Sequence, residues 1–98
     1  MKIKNINGTW GNTCKCGSWL NHWKNFSGQE LPEYCSEENC HHKPEVGAHV
    51  QKDDSTDHSW YIIPLCKTHD REMGRSLNIR DTVNLVPANV SLTCGKKS

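Results

Sequence analysis

Two short pairs of soft ligands limit what this chain can fold into. Cys35 and Cys40 lie at the ends of Cys-Ser-Glu-Glu-Asn-Cys, and Cys66 and His69 at the ends of Cys-Lys-Thr-His, about 25 residues further on. Thiolates and an imidazole at such spacings suit a tetrahedral ion, with each pair on its own turn and the chain between them making the approach. The expectation is one structural zinc site formed by Cys35, Cys40, Cys66 and His69.

Composition says why such a chain would need an ion. Only 34% of its 98 residues are hydrophobic, and 23% are charged. Ordering about 100 residues costs on the order of 100–200 kcal/mol of conformational entropy, and a thin core offsets that poorly. A structural zinc ion contributes roughly 10–16 kcal/mol of apparent binding energy to folding. The length fits a single domain over residues 1–98.

Six cysteines could instead pair as three disulfides in a small secreted domain. Met1 to Gly8 contains no apolar run of a secretory leader, so a reducing, cytoplasmic setting is expected, and disulfides are disfavoured there. Six histidines beside six cysteines also suit metal better. No segment approaches the ~20 apolar residues that span a bilayer, so no membrane partner is expected. A formal net charge of +1 supplies no long-range field for nucleic acid, and such binding would need a local patch.

A second zinc site is expected from Cys14, Cys16 and Cys94, with His22 as a candidate fourth ligand. Cys16 and Cys94 are each followed by glycine, and a glycine there lets the backbone turn so that amides point at the sulfur. The bland alternative makes Cys94 a buried thiol and His22 a packing residue.

The rest reads as α+β. Residues 1–13 suggest a short strand or extended arm. Trp19, Leu20, Trp23 and Phe26 share one face of a helix capped by Ser18 and ended by Gly28. His41 and His42 lie in a polar bend and are expected to be exposed. Val46–Val50 and Trp60–Leu65 read as paired strands, with Asp53-Asp54-Ser55 at the turn and Pro64 closing the second. Lys67 to Ser76 suggests a short helix with Asp70, Arg71 and Glu72 outward and Met73 and Leu77 inward. From Leu77 to Cys94 an alternating pattern, broken at Pro87, suggests short strands or an extended wrap.

Val46-Gly-Ala-His-Val and Tyr61-Ile-Ile-Pro-Leu-Cys-Lys-Thr-His-Asp resemble the HNH endonuclease family. The resemblance covers about residues 35–77 and implies a treble-clef zinc fold: a Cys knuckle, two strands, then a helix, making a ββα core. It also implies a catalytic centre. His49 falls at the general base, and Asp70 at a carboxylate that holds the catalytic cation. Ala48 stands where that family has another cation ligand, and Tyr61 where it has an orienting Asn. The expected function is therefore a zinc-binding recognition module for nucleic acid or a protein partner. The alternative is an active metal-dependent nuclease using His49 with Asp70, and Asp57 or His58.

Overall fold

The computed structural model describes residues 1–6, 16–53, 56–71 and 74–88. Its sheet has five antiparallel strands: β1 (Lys2–Asn5), β2 (Val46–Lys52), β3 (Tyr61–Leu65), β4 (Ser76–Asn78) and β5 (Val86–Pro87). They lie in the order β4-β1-β2-β3-β5, so the earliest strand sits inside the sheet. Two helices accompany it, α1 (Trp19–Phe26) and α2 (Lys67–Asp70). Among the described residues, no helix is long and apolar enough to cross a membrane.

The central hairpin follows from its side chains. β-Branched and apolar residues dominate β3, and Ile62, Ile63, Pro64 and Leu65 are all buried. A strand buried on both faces reads as a continuous apolar run rather than an alternation. β1 does alternate: Lys2 and Lys4 face out, while Ile3 and Asn5 are buried. Pro64 sits opposite Gly47 in the β2–β3 pairing. β5 pairs with Tyr61 and Ile62, so among the described residues no strand needs the N–H that Pro64 lacks. Its carbonyl is used instead by the loop carrying the first two cysteines.

α1 has the expected caps. Ser18 Oγ accepts a hydrogen bond from Asn21 N at 3.1 Å, and Gly28, at φ 71°, lets the chain turn away after Ser27. Its buried face differs from the expected aromatic stripe. His22 and Trp23 are its buried residues, whereas Phe26 is 43% exposed. Trp23 Nε1 donates to Asn84 O at 2.8 Å and His22 Nε2 meets Pro87 O at 2.9 Å, so polar anchors to the segment around β5 set the helix's rotation.

Gly47 fixes how closely α1 approaches β2. A Cβ at this position would collide with the backbone of Trp19 and Leu20.

Three further expectations are corrected. α2 ends at Asp70 rather than near Ser76, and the chain returns through Gly74 (φ 78°) into β4 beside β1. Gly74 N donates to Asn5 O at 2.7 Å, so pairing with β1 takes over where the helix was expected to continue. Asp70 is half-buried rather than water-facing. Trp60 lies before β3, not in it, and is exposed. Leu77 is buried as expected, while Asp54, Ser55, Glu72 and Met73 lie outside the described residues.

Candidate metal centre

The loop bearing Cys35 and Cys40 is fastened to the edge of the sheet. Ser36 donates to Pro64 O from its backbone N–H at 3.1 Å and from its hydroxyl at 2.6 Å. Glu37 forms an isolated bridge with Ile79. Arg80 N donates to Ser36 O, and an Arg80 guanidinium N–H donates to Cys40 O, each at 3.0 Å. Cys66 follows β3 at the N-cap position of α2, and His69 lies on that single helical turn.

These elements bring Cys35, Cys40, Cys66 and His69 together, with all four ligand atoms within 4.8 Å of one another. Cys40 Sγ lies 3.9 Å from Cys66 Sγ. His69 Nδ1 lies 3.2 Å from Cys66 Sγ and 3.6 Å from Cys35 Sγ. Bonds of about 2.3 Å to sulfur and 2.0–2.1 Å to nitrogen place tetrahedral ligands about 3.8 Å apart for S···S and about 3.6 Å for S···N. The cluster is thus close to the size of a tetrahedral site.

Its electrostatics point the same way. Burial pushes the Cys35 thiol up to about 12, against the pull of the Cys66 and Glu37 N–H groups aimed at its sulfur. A thiolate here has amide donors but too little solvent, and it needs a cation to be stable. The three cysteines are buried and the histidine is partly buried. The Glu37 carboxylate lies on the outer side of the ring, its Oε2 4.0 Å from His69 Nε2. Three thiolates and an imidazole form a closed, soft set that could hold one metal ion, and the set fits zinc.

Sequence reasoning missed a support on the far side. Asn5, buried in β1, donates from Nδ2 to the carbonyls of His69 and Asp70, each at 2.9 Å. This ties the last turn of α2 to the inside of the sheet. No local pattern announces such a contact.

The other candidates lie elsewhere. His41 and His42 are exposed, as expected. His49 is not at the end of its strand but within β2, paired with Ile62 and 7% exposed. Its ring meets Trp19 edge-on at 4.6 Å and Trp60 at 6.3 Å. Burial, with the nearby His22 adding to it, pushes the His49 imidazole down to about 4. Burial also raises Asp70 above the usual carboxylate range. Asp57 accepts a hydrogen bond from Tyr61 Oη at 2.5 Å and pairs with Lys52 at 3.3 Å, and His58 is exposed. Of the expected second site, Cys16 and His22 are described and adjacent, whereas Cys14 and Cys94 lie outside the described residues. Among the described residues, Cys16, Cys35, Cys40 and Cys66 are free thiols, which departs from the disulfide alternative.

In comparisons with known proteins, no family model, curated sequence or solved structure matches this chain.

Proposed function

We propose that this is a structural zinc domain of HNH-like, treble-clef type without a working nuclease centre, whose task is to recognise nucleic acid or a protein partner. The observation that carries the reading is the closed Cys3His set. All four positions of a tetrahedral ion are taken by protein atoms, which is the design of a structural rather than a catalytic zinc site. The order of parts supports the family reading: a cysteine loop, a hairpin, then a helical turn bearing the last ligand.

Two features weigh against nuclease chemistry. A base held near 4 has little basicity at neutral pH, and general-base catalysis contributes only about 10²–10⁴-fold at best. Ala48 offers no donor to a second cation, and Asp70 alone would hold Mg²⁺ weakly. Recognition is supported by the large side chains left at the surface, Phe26, Leu31, Tyr34 and Trp60. The near-neutral charge favours a local contact over a long-range field.

The test pairs zinc stoichiometry with supercoiled plasmid incubated with Mg²⁺, Mn²⁺ or Ni²⁺. Zinc should be bound and lost in Cys66→Ser, and the plasmid should stay intact. Nicking that requires both added metal and His49, with His49→Ala as the control, would establish the nuclease alternative instead.

A further inference from the structure

Arg80 holds both ends of the loop that carries the first two cysteines. Its backbone N–H donates to Ser36 O, next to Cys35, and its guanidinium donates from Nη2 to Cys40 O, each at 3.0 Å. The base of the side chain is itself fixed. Ile79 before it is fully buried, and Val83 N donates to Arg80 O at 3.1 Å.

The guanidinium is more than the loop requires. A neutral amide donor could serve the Cys40 carbonyl, yet a permanent cation stands there. Arg80 is half-buried, and its Nε is shielded from solvent with no hydrogen-bond partner. Among the described residues no carboxylate pairs with it. Shielding a charge and an N–H in this way is costly unless an opposite charge lies close by.

The Cys3His set supplies that charge when filled. Three thiolates and a neutral imidazole around a doubly charged ion leave one negative charge in excess, among buried cysteines. Glu37, whose carboxylate lies 4.0 Å from His69 Nε2, adds another. Lys67 on α2 does not meet this need, because its side chain is 62% exposed and pairs with Glu45. We propose that Arg80 is the counter-ion of the metal-filled centre, a positioning residue that both sets the Cys35–Cys40 loop and offsets the excess charge of the thiolates. The inference rests on the zinc reading above. An arginine suits the task because it is weakly hydrated and keeps its charge.

The test separates charge from hydrogen bonding. Citrulline has nearly the shape of arginine and still donates N–H groups, but it is neutral. Cys66 offers the junction: a recombinant thioester ending at Leu65 joins a synthetic peptide running from Cys66 to Ser98. The full chain with arginine at position 80 is compared with Arg80→citrulline and Arg80→Lys, and zinc affinity is read by competition with a chromophoric chelator. Citrulline should weaken zinc binding about 10–100-fold, as the loss of an outer partner of a metal ligand does. Arg80→Lys, which keeps the charge, should bind nearly as tightly as arginine. In the Co²⁺-loaded chains the thiolate-to-metal charge-transfer band should move to longer wavelength with citrulline and stay in place with lysine, because a cation beside sulfur stabilises the electrons that are transferred. A merely structural contact would not move the band with charge. Equal affinity of the citrulline and arginine chains would overturn the counter-ion role and leave the zinc reading standing. If the citrulline chain does not fold, Arg80→Lys decides, and a lysine variant that binds no zinc overturns the proposal. An arginine chain that binds no zinc would overturn both readings.

Discussion

Asn5 joins the sheet to the metal centre through one amide. Its Nδ2 serves the carbonyls of His69 and Asp70. Asn5→Ala leaves both carbonyls without that donor, and such losses cost about 1–3 kcal/mol. Asn5→Asp should be worse than alanine, because an acceptor-only carboxylate would face two carbonyls. Urea midpoints for the pair check this, and an Asp variant as stable as the Ala variant would refute it. His49 gives the fold a pH dependence. In the unfolded chain a histidine gains its proton near pH 6.5, whereas in the fold it waits until about 4. Between those values the unfolded state binds more protons, so acid favours unfolding. Stability that is whole above pH 6.5 should fall by roughly 3 kcal/mol on reaching pH 4. Thiolates holding an ion would also be acid-sensitive, so the measurement is the difference between the protein and His49→Gln across that window. Equal slopes would show that His49 is not the cause. The four ligands of the first centre were legible in the sequence because they come as two local pairs. Asn5 and Arg80 were not, because each reaches its partner across a long stretch of chain.

At the scale of elements, the approach of α1 to β2 depends on the missing side chain of Gly47. The backbone of Trp19 and Leu20 occupies the space a Cβ would need, and helix backbone yields less readily than a flexible side chain. Gly47→Ala should cost about 3 kcal/mol, at the upper end of overpacking. A thermal melt within experimental error of the unmodified protein would show that the helix shifts freely. The caps of α1 were readable from Ser18 and Gly28. Its inward face was not, because an aromatic stripe at helical spacing marks an apolar face but not the anchors to Asn84 and Pro87. The length of α2 was overread for a similar reason. Its apolar spacing allowed a longer helix, but pairing of β4 with β1 claims the chain from Ser76 onward.

For the whole molecule, the Cys3His cluster and the sheet are tied together at several points, so an ion held there would couple to the sheet. The ligands come from a loop pinned to Pro64, from the end of β3 and from a helical turn pinned to Asn5. Removing the metal leaves buried thiols and loosens three attachments together. A strong chelator should therefore collapse the amide NMR dispersion of the whole sheet, not of the loop alone. Metal-free protein that keeps its dispersion would contradict this. The paired strands β2 and β3 were legible from sequence, but the insertion of β1 between β4 and β2 was not, because register across such distances leaves no local trace.

That insertion has a consequence for how the chain is made. β1 precedes every other described element, yet its first partner is β2, at Val46–Lys52, and its second is β4, at Ser76–Asn78. A nascent chain leaving the ribosome carries Lys2–Asn5 with neither edge paired until those segments emerge. All four ligands of the Cys3His centre have emerged once His69 is out, before β4 exists. A cation bound by these four residues could therefore be captured before the sheet is complete.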